Sequence, residues 1–287
     1  MTAGLNTAAN ISSIAPTMQE DAIFAIRETY QMQNLVTIKT DMTGLNPRAN
    51  YQYPKSAATT LAETDDLTST VWTPTLLSTL TPGEIGQQFF VTDLRAATDS
   101  PDDIERDGAL ELGLAAGDAI ETALSTDMAS LTGGTIGAAG TVITWGYLAA
   151  AIAVARNASK SVGVPLNAVI HGYQWAVLAK TASIAGASLP PAMQIVDDVN
   201  RVGFVASFMG VNLYQVFTTP NATDDFTGGV FPRTAILMDW RRPIRVEPER
   251  DASRRGTEFN MSAVYAHGVW RANLGVKMTF DASAPTS

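Results

Sequence analysis

The chain has 287 residues, of which 46% are hydrophobic and only 16% charged, with 28 acidic side chains against 19 basic ones and no cysteine. Such a chain can build a sizeable core but no disulfide, thiol nucleophile or cysteine metal site, and its net charge of −9 argues against binding that works by neutralising phosphates. The two histidines, His171 and His267, are a poor supply for a metal cluster or a serine-type triad. No run of eighteen apolar residues predicts a membrane span, and the polar start MTAGLNTAANISS lacks the features of a signal peptide.

Residues 1–130 carry eighteen acidic and six basic side chains, whereas residues 131–287 carry ten and thirteen. Halves of opposite charge attract at near contact between copies, although an uneven surface charge with no partner reads the same way. The low overall charge also suits a chain whose faces are covered by neighbours.

In chain order, a polar arm leads to a helix capped by Thr17, with Glu20 three residues on and an apolar stripe in Ile23, Ile26 and Tyr30. Val36–Ile38 reads as a short strand. Residues 43–90 are rich in Thr, Ser, Pro, Gly and Ala and lack a helical pattern. A stretch this long and this short of apolar residues cannot form its own core, so it is expected to lie as an extended hairpin on something else. Trp72 is its anchor, either on a neighbour or on its own domain; Pro82-Gly83 marks a turn.

Ser100-Pro101-Asp102-Asp103 starts a helix, and Gly133-Gly134 stop it. The helix is expected over about 101–131, about 46 Å long at 1.5 Å per residue. Its predicted core face is Ile104, Leu112, Ala116, Ala119, Ala123 and Met128. Gly108, Gly113 and Gly117 weaken it by about 1 kcal/mol each relative to alanine. Close approach of a neighbouring backbone would compensate, and the same glycines are candidates for bending.

Beyond it the pattern alternates. Thr144 caps a helix through Leu148, Ile152 and Ala155; Ala168–Ile170 is a short buried strand; Tyr173–Thr181 is helical; Val211–Phe217 is a strand. Thr218–Phe231 reads as a polar loop and Thr234–Met238 as a strand. Ile244–Glu249 and Glu258–Tyr265 flank a polar turn and predict a hairpin, followed by alternation in Val276, Met278 and Phe280.

Catalytic signals are weak. The glycines of 132–141 follow a helix with no lysine nearby, so they read as a connector rather than a phosphate cradle. The pairs Asp65-Asp66, Asp102-Asp103, Asp197-Asp198 and Asp224-Asp225 are adjacent residues, which rarely face each other across a cleft. His171 ends a buried strand and reads as a core histidine. Arg241, Arg242, Arg245, Arg250, Arg254 and Arg255 sit among Glu247, Glu249 and Asp251. They form either a solvated hairpin with local ion pairs or a basic stripe receiving an acidic surface of a neighbouring copy, at 63–66 or 99–107.

This ordered set resembles the major capsid (coat) proteins of tailed bacteriophages with the HK97-like fold, over nearly the whole chain. The resemblance is carried by Thr17–Gln33 with Asn34-Leu35-Val36, by Pro82-Gly-Glu-Ile-Gly86 with Val91-Thr-Asp-Leu94, and by helix 101–131. Further on it rests on Pro165–His171, Gly203–Tyr214, Tyr265–Trp270 and Gly275–Phe280. It implies an α+β fold with an N-arm (1–42), an E-loop (43–90), and a P-domain in two parts (91–133 and 244–287) around an A-domain (134–243).

The function it implies is structural, with no enzyme activity and no cofactor or metal. Copies would form pentamers and hexamers that enclose double-stranded DNA without sequence-specific binding, within a virion assembled in the host bacterial cytoplasm. Partners would be other copies, a separate scaffolding protein (the arm helix begins within about twenty residues of Met1), a portal and a cement or decoration protein. Candidate inter-subunit contacts are Ile23, Tyr30, Lys55, Asp65, Asp66, Trp72 and the six arginines. One lineage joins Lys to Asn covalently, which would place Lys55 opposite Asn260 or Asn273; packing and charge are the preferred lock. The alternative with the same fold is an encapsulin-type compartment.

Overall fold

The structure, a computed structural model, describes residues 30–53, 58, 60–66, 71–98, 101–159, 164–184, 193–194, 204–218 and 224–285. The arm helix expected from Thr17, with Ile23 and Ile26, and the position of Lys55 lie outside these residues, as does the Asp197-Asp198 pair. One helical turn, α1 (Met32–Leu35), leads into β1 (Thr37–Lys39). Strands β2 (Arg48–Gln52) and β3 (Thr75–Leu80) pair as an antiparallel hairpin, and β4 (Gly83–Thr92) follows the Thr81-Pro82 corner. Helix α2 (Asp93–Thr98) is short, and α3 (Pro101–Asp127) is the longest helix described.

The middle of the chain supplies β5 (Thr135–Gly137), α4 (Trp145–Ser159), β6 (Leu166–His171), α5 (Gly172–Ile184), β7 (Met193–Gln194), β8 (Phe204–Phe208), β9 (Val211–Val216) and β10 (Asp225–Pro232). Two long strands, β11 (Ile236–Asp251) and β12 (Gly256–Val269), form a second hairpin, and β13 (Val276–Asp281) ends the fold. The strands make a four-stranded sheet in the order β1-β11-β12-β4, a seven-stranded sheet in the order β5-β13-β10-β6-β9-β8-β7, and the separate two-stranded hairpin β2-β3. The architecture is α+β, as expected.

Helix α3 packs across the long sheet. Ala109, Leu112 and Ala116 meet Val91, Ile244, Val246, Phe259 and Met261 in one core. Ile120, Leu124 and Met128 continue the stripe into a second core with Met32, Leu35, Val36, Phe231 and Met238. The expected face is therefore shifted: Leu112, Ala116 and Met128 are buried, but Ala119 is exposed and Ala123 only partly buried. The reason is size. Turning Ile120 and Leu124 inward removes more apolar area from water than turning two alanines inward. The helix also stops at Asp127 and tightens into a 3-10 turn over Met128–Ser130, short of the expected end.

Two of the three glycines of α3, Gly108 and Gly117, meet aromatic rings, not backbone. A Cβ on Gly108 would collide with the Phe89 ring, and one on Gly117 with the Tyr30 ring. Each glycine is a flat seat for an aromatic side chain from another element.

Three further expectations change. Asp225–Pro232, read as loop, is a central strand between β13 and β6. Its Asp pair and Gly228-Gly229 look like loop chemistry, but glycine is required there: a Cβ at Gly228 would strike the Val169 carbonyl oxygen. Val276–Asp281, which the resemblance grouped with 244–287, joins this same sheet and not that of β11 and β12. And β11 begins at Ile236, after a 3-10 turn, and runs through Pro243 without a break; register shifts at Trp240/Arg242 and Arg242/Arg245 absorb the proline. The glycine-rich 132–141 connector also contributes edge strand β5, parallel to β13.

The rest follows the sequence. The Thr144 hydroxyl accepts the Tyr147 amide at the start of α4 (3.3 Å), and Leu148, Ile152 and Ala155 are fully buried. Phe231 of β10 is fully buried in one core with Met238 of β11 and Tyr265 of β12. Phe231→Ala is expected to lower the unfolding free energy by about 3–5 kcal/mol, measured by urea denaturation of the unassembled chain.

Candidate assembly interface

The β2–β3 hairpin is buried only at its root. Arg48, Asn50 and Leu80 are covered, and beyond them burial stops: Tyr51, Tyr53, Leu76 and Leu77 are each about half exposed or more. Leu45 and Val71 are more exposed still, Val71 at 89%. Trp72, the expected anchor, is half exposed. Both faces of the ladder therefore carry exposed apolar side chains, and no second sheet or helix among the described residues covers them.

The root is held firmly. Leu80 packs on Leu237, Ala266 and Trp270, and the Asn50 amide donates to the Trp270 carbonyl. Arg48 Nε donates to Asp239 Oδ2 at 2.7 Å, and its Nη2 reaches Asp41 Oδ1 at 2.5 Å. Arg241 Nη2 lies 2.8 Å from the same Asp239 oxygen. Asp239 is wholly buried, and its two arginines are nearly so. The hydrogen bonds from Arg48 hold the exposed Asp41 carboxyl below its ordinary range. A buried carboxylate flanked by two guanidinium groups thus ties the hairpin to β11. Sequence reading passed over Arg48 and Asp239. The available signal was a lone acid in the apolar run Ile236-Leu-Met-Asp-Trp240, which has to find a cation when buried.

The six arginines divide by position. Arg241 lies inside and has no charge to present to a neighbour. Arg242 pairs with Glu84, and Arg245 with Glu247. Arg250 makes a two-pronged contact with Asp93, at 2.6 and 2.7 Å, which lowers the Asp93 carboxyl and raises the guanidinium. Arg254 binds Glu258 at 2.8 Å and covers the Phe90 ring at 4.3 Å. Arg255 is exposed at the turn with φ of 50°. Pairs with Glu84 and Asp93 fasten the β11–β12 hairpin to β4 and α2, so much of this charge is used within the chain.

Tyr30 also turns inward: its hydroxyl donates to the Leu114 carbonyl (2.9 Å), and its ring covers Gly117. Asp65 closes a turn by accepting the Ala62 amide at 2.8 Å, while Asp66 is exposed. Asn260 accepts from Gln88 at 3.0 Å. His171 is buried among Tyr173, Phe217 and Phe226; its Nδ1 accepts the Tyr173 amide, and burial pushes its pKa down. Gln174 spans two strands, donating to the Phe226 and Phe280 carbonyls. Among the described residues no group of three metal-ligating side chains occurs, and no described helix is long and apolar enough to cross a membrane.

No family model matches the chain, and no curated protein matches its sequence. Solved structures do. The capsid of the cyanophage P-SCSP1u is 15% identical, with 89% of each chain covered and a TM-score of 0.63. The capsid of Ralstonia phage GP4 is 9% identical over 91% of this chain and 93% of that one, with a TM-score of 0.65. The SrpI encapsulin of Synechococcus elongatus PCC 7942 is 10% identical over 91% and 90%, with a TM-score of 0.63. At these identities the likeness is one of fold: the chain has the HK97-like fold of shell subunits.

Removing Asp239 strands two buried guanidinium groups. Asp239→Ala is expected to cost about 3–5 kcal/mol in urea unfolding. Asp41→Ala, at the solvent-facing end of the same network, is expected to leave the midpoint nearly unchanged.

Proposed function

We propose that this chain is the major capsid protein of a tailed bacteriophage: a structural subunit, not an enzyme, that forms pentamers and hexamers around double-stranded DNA. In this reading the N-arm (1–42) and the E-loop (43–90) reach over neighbouring copies, except for α1, β1 and β4, which pack and pair within their own chain. The P-domain (91–133 with 244–287) and A-domain (134–243) form the plates of the shell. The virion is its destination and the host bacterial cytoplasm its place of assembly, with a scaffolding protein, a portal and a decoration protein as further partners.

The observation that carries the proposal is the hairpin: held at its root, with apolar side chains exposed on both faces and no covering sheet or helix among the described residues. Six such side chains are already about half buried, so covering the remainder gains roughly 1 kcal/mol each, or roughly 6 kcal/mol gross. Bringing two proteins together costs about 4–15 kcal/mol in lost freedom. A single pair is therefore marginal. A closed ring gains one more contact than an open chain, and in a head-to-tail ring every copy both gives and receives a hairpin. The matches to phage capsids support the shell reading, and the encapsulin match supports a cargo compartment as the second reading.

Electron microscopy of the expressed chain, with and without its scaffold, tests the proposal. Closed particles support it; a monodisperse monomer under all conditions contradicts it. Nucleic acid packaged in native particles distinguishes a virion from a cargo compartment. The triple variant Tyr51→Ser, Leu76→Ser, Leu77→Ser is expected to fold with an unchanged urea midpoint yet form no particles in sedimentation velocity, since these side chains are exposed before assembly.

A further inference from the structure

Where the β2–β3 hairpin leaves the body, a cleft of about 200 Å³ separates it from the 3-10 turn Ala272–Leu274. Asn50, Gln52 and Leu77 of the hairpin line one wall, and Arg271, Asn273 and Leu274 line the other. Both walls are fixed to the body. Asn50 is 7% exposed, with its amide on the Trp270 carbonyl, and the Arg271 backbone amide donates to the Ala235 carbonyl at 3.1 Å. The one charged group lining the cleft is the Arg271 guanidinium, which is exposed and has no ion-pair or hydrogen-bond partner among the described residues. Lys39 places a second positive charge close by, its ammonium 5.2 Å from the ring of the preceding residue, Trp270. A guanidinium flanked by side-chain amides and two leucines fits a carboxylate carried beside an apolar side chain.

This chain carries such a group. The turn from Ala62 to Asp65 is closed twice, by the Asp65 amide on the Ala62 carbonyl at 3.0 Å and the Ala62 amide on Asp65 Oδ2 at 2.8 Å. It holds Glu63 and, just beyond, Asp66 in solvent, with Leu61 47% exposed beside them. Neither Glu63 nor Asp66 has a partner among the described residues. The arginines of the β11–β12 hairpin, one expected receiver for this acidic turn, largely close onto Glu84, Asp93 and Glu258. Arg271 does not.

We infer that the cleft at the hairpin root receives the acidic turn 61–66 of a second copy, with Glu63 and Asp66 on Arg271 and Leu61 against Leu77 and Leu274. The turn lies midway between β2 and β3 in sequence, so each hairpin's connecting turn becomes the ligand of the next hairpin's root. The inference rests on the shell reading and names the contact that receives the hairpin. Because the paired groups are partly exposed, they set which copy docks and in what register more than they add affinity, and salt weakens them.

The chain has no cysteine, so an engineered pair reports the contact without background. Particles of the double variant Asp66→Cys, Arg271→Cys, oxidised after assembly, are expected to give a ladder of linked chains on a non-reducing gel. Either single variant is expected to give no ladder. Particles without a ladder, or with the link closed inside one chain, overturn the inference and leave the shell reading standing. A natural chain that forms no particles under any condition overturns both. If the cysteine pair does not assemble, a charge series decides. Arg271→Glu is expected to keep the urea midpoint, since Arg271 has no partner to lose. It is expected to raise the protein concentration needed for particles about fivefold or more, the factor that about 1 kcal/mol gives. Adding Glu63→Lys and Asp66→Lys to it is expected to restore the natural threshold. An unchanged threshold in Arg271→Glu, or a triple variant no better than the single one, overturns the inference.

Discussion

The constraint on which the rest of the structure depends is that, among the described residues, the β2–β3 hairpin has no further sheet or helix covering it. Tyr51, Leu76 and Leu77 face water on a two-stranded ladder, and such a ladder is marginal in isolation. What keeps it extended is its root, where Leu80 is packed and Arg48 is held by buried Asp239. In the proposed capsid reading, a held root and an exposed blade suit the hairpin to contacts between copies, and stabilisation that a compact domain collects internally is deferred to assembly.

The body provides the counterpart. Helix α3 lies along the long sheet on a stripe of Ala109, Leu112 and Ala116, then Ile120 and Leu124. The same helix seats Phe89 and Tyr30 over Gly108 and Gly117. These seats bear on any bending of the helix. An alanine at Gly117 displaces Tyr30 as well as stiffening the backbone, so a glycine-to-alanine change there mixes two effects. The arginines of the β11–β12 hairpin largely close onto Glu84, Asp93 and Glu258, which strengthens the plate and leaves less charge for neighbours.

Much of the fold was legible in the sequence because local signals agreed with tertiary need. The Thr144 cap, the Pro101 start, the alternation of β12 and the long apolar-poor 43–90 stretch are of this kind. What was hidden had nonlocal causes. Gly228 and Gly229 read as loop because nothing in the sequence shows the Val169 carbonyl that excludes a side chain there. Ala119 and Ala123 looked suited to the core until Ile120 and Leu124 claimed the same face. The Arg48–Asp239–Arg241 network joins residues nearly two hundred positions apart, and Arg241, one of the six candidate contact arginines, belongs to it and not to a surface stripe. The hairpin itself was legible; which side chains it exposes was not.

The most direct test of the account is a cryo-electron microscopy reconstruction of particles assembled from this chain. It should show the 43–80 hairpin of each subunit lying across a neighbouring subunit, with Tyr51, Leu76 and Leu77 shielded from solvent and the Arg48–Asp239 contact retained at its root. A hairpin folded back on its own subunit, or left uncovered in a closed particle, would contradict it.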